Sequence, residues 1–559
     1  MRHKTWIKRG KAGVQALFIA CLIFVYPPST ALSASATSKG KTKAAQKADA
    51  GEKKTASGLE SGQSETPERS KNKTATPRKR SRSARAESSP ITDVTSSTTG
   101  TLPVLIDKLI ANAGASRWGV KVDVAETGEI IYEKNPSHLF VPASNRKLFT
   151  GALALDLLGP NFQYHTYLFR TGKVDASGVL NGNLVIKPQG DPTFSNTIVR
   201  NAPTDWIFRD WVTKVQAEGI KSVAGELVVD CSDWNMMDLT PKGWPTRIKS
   251  DYYAPQSSPL TLNENIIEIR VKPSAAGQPG IIEFIPPAEG YPIVNKTVTG
   301  AGKGGISVNR KADGHIEVTG APSTRSTGQT YAVPCDNPTL FAAAVLRHHL
   351  HQAGIEIRGA VRILTTKSSS SAPRPENIIA VYISPSMAEI VKTMMKHSNN
   401  HFAEQLYISL SAIKSQAGGY RTSKQLENEF LARAGINTRE LNFEDGCGLS
   451  LLNQVSPHHI CQLLNYMMRH AAWPTFFDSL PVAGRDGTLR GRMRNDNIAQ
   501  KVHAKTGLVN QVSALSGYLT LNQGRTLVFS FLVNDVHSST GAVKSAEDHL
   551  CEILSLLSL

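Results

Sequence analysis

Between residues 141 and 155 the chain passes from mixed to almost wholly apolar. Val141-Pro142-Ala143-Ser144-Asn145-Arg146-Lys147 runs into Leu148-Phe149-Thr150-Gly151-Ala152-Leu153-Ala154-Leu155. A stretch this rich in Ala and Leu predicts a buried helix with Ser144 at its opening turn. Met387 to His397 and Ala403 to Ile413 carry amphipathic helical patterns, and the polar Ser398-Asn399-Asn400 separates them. Asn337-Pro338 and Gly354 bracket another helix, and Pro457 opens one at His458-His459. Elsewhere the period shortens. Val179 to Ile186 and Gly225 to Asp230 are short strand patterns bounded by turn residues. Gln500 to Ala504 and Val512 to Leu521 are strand-like on either side of Lys505-Thr506-Gly507.

The first hundred residues read differently. A basic stretch to Lys11 precedes an apolar run from Ala12 to Tyr26, then Pro27-Pro28 and the small residues Ala34-Ser35-Ala36. This is the pattern of a cleaved export signal over 1–36. The apolar run is shorter than the roughly 20 residues of a membrane span. An uncleaved anchor and a lipoprotein site at Cys21 are the alternatives. Residues 37–100 are Ser, Thr, Lys, Ala and Arg with almost no large apolar side chain, so nothing offsets the entropy of ordering and a disordered basic linker is expected.

Of the 559 residues, 63 are Lys or Arg and 46 are Asp or Glu, for a formal charge of +17. Five of these charges lie in 1–36 and a net eight in 37–90, so residues 91–559 carry only +4. Arg78-Lys79-Arg80-Ser81-Arg82 could bind a polyanion by counterion release. In an exported chain a solvated tether brushing acidic envelope polymers is the favoured reading, with no nucleic-acid partner. No 18-residue apolar run exists, which excludes a multi-pass membrane protein and leaves peripheral or no membrane association. Cys231, Cys335, Cys447, Cys461 and Cys551 follow the signal, an odd number with no Cys-x-x-Cys spacing to suggest zinc.

Three short motifs carry the chemistry. Ser144 and Lys147 stand at i and i+3, one helical turn apart on one face. A serine hydroxyl is a weak nucleophile until a base takes its proton, and a desolvated lysine can be that base. The helix start also aims backbone N–H groups at a developing oxyanion. Alone the spacing means little, because Ser38/Lys41, Ser70/Lys73 and Ser411/Lys414 share it. Ser398-Asn399-Asn400 sits at a break between helices, where a hydroxyl and an amide can enter a cleft; the same residues could simply cap a helix. Ser307-Val308-Asn309 repeats the spacing inside a strand-like stretch. Lys505-Thr506-Gly507 offers a cation, a hydroxyl and a close backbone approach.

In this order, each on the element its role requires, Ser-x-x-Lys, Ser-x-Asn and Lys-Thr-Gly match the motif sets of serine β-lactamases and penicillin-binding proteins. Residues 101–559 resemble the penicillin-binding protein 4 type of D-alanyl-D-alanine carboxypeptidase/endopeptidase. Gly190-Asp191-Pro192-Thr193, Asp251-Tyr252-Tyr253-Ala254-Pro255 and Leu262-Asn263-Glu264-Asn265 look like its signatures. So do Asp445-Gly446-Cys447-Gly448-Leu449-Ser450 and Leu480 to Leu489.

The resemblance implies an α/β fold: a penicillin-binding/β-lactamase-like transpeptidase domain, its antiparallel sheet flanked by helices beside a helical subdomain, with two mostly β domains inserted between the first and second motifs. The peptidase domain is then expected in two parts, 101–175 and 381–559. The insertion spans 176–380, divided into 176–244 with 347–380, and 245–346. The implied roles are Ser144 as nucleophile and Lys147 as its base, with the amides of Ser144 and Leu508 as oxyanion donors. Ser398 and Lys505 relay a proton to the leaving amine, Asn400 orients the peptide, and Thr506 and Gly507 meet its carboxylate side. The implied partners are peptidoglycan stem peptides and cross-links in the periplasm, with β-lactams as covalent inhibitors. No cofactor and no metal are implied. Cys447 stands where the family usually has Ser, Leu451 replaces a common Arg, and Leu508 replaces a common Ser or Thr.

His348 and His351 share a helical face, but no third ligand follows at metal spacing. Asp238 before Pro241-Lys242-Gly243-Trp244 is either a turn residue or an insertion-domain acid facing a cationic peptide group. Two other functions remain open on sequence alone: a serine β-lactamase, and a silent peptidoglycan-binding scaffold that keeps the fold.

Overall fold

The computed structural model describes residues 101–559 other than 200, 246–247, 249–250, 303, 312–314, 368–372 and 538. The expected signal and linker lie outside the described residues.

A five-stranded antiparallel sheet organises the catalytic half. Its order is Val502–Val509, Val512–Thr520, Thr526–Val536, Ala115–Val124 and Ile130–Lys134, so the Lys-Thr-Gly strand is the last of the sheet, bridged on its outer side at His503 by Val482. Period-two alternation decides what each face packs against. Val120, Val122, Leu515, Leu519, Phe529 and Phe531 share one core with Ile106 and Ile110 of the Thr101–Ala111 helix and Val543 and Leu550 of the Thr540–Ser555 helix. Ala514, Tyr518, Val528 and Leu532 join the other core, with Ile460, Leu463 and Leu464 of the Pro457–Met468 helix. Gly119 permits that second contact, because a Cβ there would come within 2.4 Å of Phe140 and 2.9 Å of Pro457.

The Ala/Leu run forms the Arg146–Leu158 helix, buried from Arg146 through Leu155. It packs on Met387–His397 and Asn400–Ser415, and Gly151 meets the methyl groups of Met394 and Met395. The first of these helices opens with a capping box between Ser386 and Glu389. It ends where Ser398 adopts a left-handed conformation, φ 54°; Asn399 then caps the next helix by accepting from the Phe402 N–H at 2.9 Å. Ser-x-Asn is thus both a helix break and a cap, and these two geometric demands fix where its side chains point.

Residues 165–383 build four sheets of their own. One has five strands in the order Val361–Leu364, Leu227–Asp230, Leu184–Lys187, His165–Arg170, Ile378–Ile383. A smaller one joins Glu356–Ile357, Ser222–Val223, Val179–Asn181 and Lys173–Val174. Two three-stranded sheets lie between residues 266 and 334. His165–Arg170 and Ile378–Ile383 pair antiparallel across more than two hundred residues, so this sheet reaches outside the 176–380 span expected from sequence. The Val179–Ile186 pattern is two strands, Val179–Asn181 and Leu184–Lys187, broken at Gly182, where a Cβ would fall 1.8 Å from Thr171 O.

Asp191 lies buried in this region. Its Oδ1 accepts from the Thr193 N–H and hydroxyl, while Oδ2 has no hydrogen-bond partner. Burial pushes its carboxyl up to about 7, opposed by the Thr193 bonds. The folded protein therefore keeps a proton that the unfolded chain releases near pH 4, and stability falls as pH rises from about 4 to about 7. Asp191→Asn should lose less stability than the unaltered protein between pH 5 and pH 8 in urea titrations. Equal losses would contradict this assignment.

The five cysteines Cys231, Cys335, Cys447, Cys461 and Cys551 are all buried free thiols.

Candidate active site

Ser144 sits in a single 3-10 turn, Ala143–Asn145, immediately before the helix that carries Lys147. Lys147 is fully buried, and its Nζ has three partners: Ser144 Oγ at 3.0 Å, Asn400 Oδ1 at 2.7 Å and the Cys447 carbonyl at 2.8 Å. The two carbonyl-type oxygens can only accept. In the neutral amine they take both N–H groups, which leaves the lone pair directed at the Ser144 hydroxyl. Burial depresses the Lys147 pKa, with Arg146 adding to the effect; Asp445 and Glu404 oppose it. The Cys447 thiol is itself pushed well up by burial, so it stays protonated and lends the amine no charge.

Across the cleft, Lys505 is also fully buried, and its Nζ donates to Ser398 Oγ at 2.9 Å and to Thr506 O at 2.8 Å. Burial and the nearby Lys147 hold its pKa well below the usual lysine value. The strand reaches the nucleophile turn closely. Asn145 Nδ2 donates to Lys505 O at 3.0 Å, and a Cβ on Gly507 would lie 3.0 Å from Pro142 O. Thr506 Oγ1 donates to Thr488 Oγ1 at 2.7 Å, and Leu508 is 48% exposed beside them. The structure therefore brings Ser144, Lys147, Ser398, Asn400, Lys505, Thr506 and Gly507 into one groove.

The same spacings elsewhere do not assemble. Ser411 is buried in a network with Ser423 and Gly419, while Lys414 is exposed. Asn309 Nδ2 donates to Ser307 Oγ on an exposed strand. His349 pairs with Asp205 at 2.6 Å and His351 with Glu289 at 3.0 Å, on separate acids. Asp238 accepts from the Arg421 N–H at 2.7 Å, capping the Tyr420–Arg433 helix from outside.

Several groups that sequence did not single out hold the site in shape. Arg146 is completely buried and makes two parallel bonds to Glu427, at 2.7 and 2.9 Å. It donates to Asp445 O at 2.7 Å and stacks over Phe443 at 4.0 Å. Asp445 in turn gathers the N–H groups of Gly448, Ser450, Asn453 Nδ2 and Trp244 Nε1. Glu404 accepts from the Gly446 and Cys447 N–H groups and the Tyr420 hydroxyl, and so aims the Cys447 carbonyl at Lys147. At Gly448, φ 96°, a Cβ would fall 1.9 Å from Ala143 O; only glycine lets this loop press on the nucleophile turn. It is the Cys447 main chain, not its side chain, that meets Lys147.

Glu404, Asp445 and Cys447 place three ligand-type atoms within 4.8 Å of one another. Their carboxylate lone pairs are already directed at N–H and O–H donors, an arrangement that suits anions and leaves a cation little to bind.

The insertion reaches this groove at two points. Asn400 Nδ2 donates to Tyr253 O at 2.9 Å, and Asn399 Nδ2 donates to Glu264 Oε2 at 2.9 Å. Glu264 is the middle of three successive left-handed residues, Asn263, Glu264 and Asn265, each at φ between 50° and 60°. Strained backbone of this kind costs on the order of 1–3 kcal/mol per residue and persists only where its surroundings enforce it. Asn265 Nδ2 bonded to Gln256 O and Thr197 bonded to Glu264 supply that support.

The family model for the D-Ala-D-Ala carboxypeptidase 3 (S13) family matches residues 104–556. The chain belongs to that family. It is 32% identical over 441 residues to a D-alanyl-D-alanine carboxypeptidase of Actinomadura sp., covering 76% of this chain and 78% of the relative. It is 27% identical over 430 residues to the D-alanyl-D-alanine carboxypeptidase DacB of Haemophilus influenzae, covering 75% and 85%. The crystal structure of penicillin binding protein 4 (dacB) from Haemophilus influenzae shares the fold, with a TM-score of 0.68 at 23% identity over 80% of this chain and 99% of that one. The penicillin-binding α/β fold expected from the motifs is therefore the fold observed.

Proposed function

We propose that this S13 family member is a serine D-Ala-D-Ala carboxypeptidase and endopeptidase, acting on peptidoglycan stem peptides and their cross-links through an acyl-enzyme on Ser144. One observation carries the reading: a buried amine of depressed basicity 3.0 Å from the Ser144 hydroxyl, its two N–H groups taken by Asn400 and the Cys447 carbonyl.

Lys147 takes the Ser144 proton as Oγ attacks the carbonyl of the penultimate D-Ala, or of a D-Ala in a cross-link. The negative charge that develops on the carbonyl oxygen is met by the backbone N–H groups of Ser144 and Leu508, donors that do not depend on the residue-508 side chain. The tetrahedral intermediate collapses by breaking the C–N bond. Ser398 gives its proton to the leaving nitrogen and is reprotonated from Lys505, to which it is hydrogen-bonded. As the amine departs, the proton held by Lys147 passes through groove water to Lys505, which leaves Lys147 neutral again. Water then attacks the ester and gives its proton to Lys147, which hands it to Ser144 Oγ as the acyl C–O bond breaks. Asn400 orients the peptide while anchoring Lys147, and Thr506 receives its carboxylate. A β-lactam presents a strained amide to the same groups and leaves an ester on Ser144.

Neither a β-lactamase nor a silent scaffold draws support from the carboxypeptidase relatives. Among the described residues no helix is long and apolar enough to cross a membrane. With the signal pattern at the N-terminus, this favours a periplasmic enzyme held to the envelope loosely or not at all. Purified muropeptides incubated with the protein and resolved by mass test the reading. Loss of one D-Ala from monomers, or conversion of cross-linked dimers to monomers, is expected. Unchanged muropeptides would refute it.

A further inference from the structure

We infer that Thr488 binds substrate: with Thr506 it forms a two-hydroxyl site for the carboxylate on the leaving side of the scissile amide. The inference rests on the peptidase reading above and names how this chain holds that carboxylate without a hydroxyl at position 508. Leu508 is apolar, so the only role left to it on the strand is its main chain. The Thr506 hydroxyl instead meets Thr488 Oγ1 at 2.7 Å, contributed from a different segment.

Thr488 is the exposed residue of a short turn, Gly487–Leu489, whose Leu489 is buried. Gly487 lies at φ 56°, and a Cβ there would come 2.8 Å from Lys396 O, so the turn presses directly on the end of the helix that leads to Ser398. The neighbouring Asp486 carboxylate is gripped by Lys396 Nζ at 2.8 and 2.9 Å and by the Val482 N–H at 3.0 Å. Lys396 also donates to Leu480 O at 2.5 Å, and the Ala504 N–H donates to Pro481 O at 3.0 Å. These bonds fasten the turn to both the Ser398 helix and the Lys505 strand.

Each hydroxyl has one proton and two lone pairs. In the free protein Thr506 gives its proton to Thr488, and the Thr488 proton is left to an outside acceptor. A carboxylate accepts only, through two oxygens, so both hydroxyls can turn to donate to it, one to each oxygen. A peptide capped as an amide replaces one oxygen by a donor and loses half of the match.

Two peptides ending in D-Ala-D-Ala, one with a free carboxylate and one capped as a primary amide, test this. A hydrogen bond to a charged group predicts that Thr488→Val lowers kcat/KM for the free acid about 10-fold or more, mainly through KM. Thr488→Val should slow hydrolysis of the amide severalfold less than that of the free acid, since the amide brings no charge for the lost hydroxyl to meet. Thr488→Ser should keep the activity, and adding Leu508→Thr to Thr488→Val should recover most of the loss. Equal losses on both peptides, no loss on either, or no recovery on adding Leu508→Thr would overturn the inference. Failure of the unaltered protein to release D-Ala would count against the peptidase reading instead.

Discussion

Replacing Lys147 by Met should slow acylation by penicillin between about 10²- and 10⁴-fold, the range a positioned general base contributes. The side chain fills similar space, so the buried helix should persist. What disappears is the lone pair aimed at Ser144 Oγ, and no neighbour can replace it. Asn400 Oδ1 and the Cys447 carbonyl lie at the same point but are amide oxygens, too weakly basic to take the serine proton. Lys505 is engaged with Ser398 and Thr506 O. The Asn400 and Cys447 oxygens would lose a donor, which costs about 1–3 kcal/mol for a buried group, so folding should be checked by thermal melting alongside the rate. A Lys147→Met protein that is folded and still acylated at the original rate would remove lysine from the mechanism. In the unaltered protein the depressed pKa places an acid limb on the acylation profile: as pH falls through the Lys147 pKa the amine protonates and the rate drops.

The second large effect is on stability. Glu427→Gln should destabilise the protein by about 3–5 kcal/mol, because it leaves the Arg146 guanidinium buried without its counter-charge. Arg146 is fully buried, bonded twice to Glu427 and stacked on Phe443 and Tyr407. None of these other contacts neutralises it. The double variant Arg146→Met with Glu427→Leu removes both charges together and should recover much of the loss, since apolar replacement of a buried pair is often neutral or better. Denaturant titration of both variants reads this. Equal destabilisation by the single and double changes would show that packing, and not the unpaired charge, sets the cost. The double variant also removes a positive charge that lowers the Lys147 pKa, so its acid limb of acylation should move to higher pH.

The groove was legible in sequence to the extent that its chemistry resides in side chains at short, fixed spacings. Ser144 with Lys147, Ser398 with Asn400, and Lys505 with Thr506 each form a local pattern, and each motif lies on the kind of element its flanking periodicity predicts. The main-chain contributions were not legible. The Cys447 carbonyl that holds Lys147 and the Tyr253 carbonyl that holds Asn400 are features any residue type could supply, and they come from 300 and 147 positions away. Glu404 and Arg146 were hidden for a related reason. A charge inside a helical pattern reads as a solvated face, and only the tertiary structure shows Glu427 and the 445–448 loop closing over it. The outer strands of the insertion were hidden by distance, because the pairing of His165–Arg170 with Ile378–Ile383 leaves no local trace.

The Cys447 departure also changes meaning once the geometry is known. Its main chain, clamped between Glu404 and Gly448, performs the task at Lys147. The side chain lies between two buried carboxylates, 3.8 Å from Asp445 Oδ2 through a weak thiol donor and beside Glu404.

Labelling with penicillin, followed by intact mass and peptide mapping, shows whether Ser144 is the nucleophile. One penicillin per folded chain is expected, attached to the peptide that contains Ser144, and none on a folded Ser144→Ala variant. Equal labelling of the two proteins, or an adduct mapped to any other residue, would contradict it.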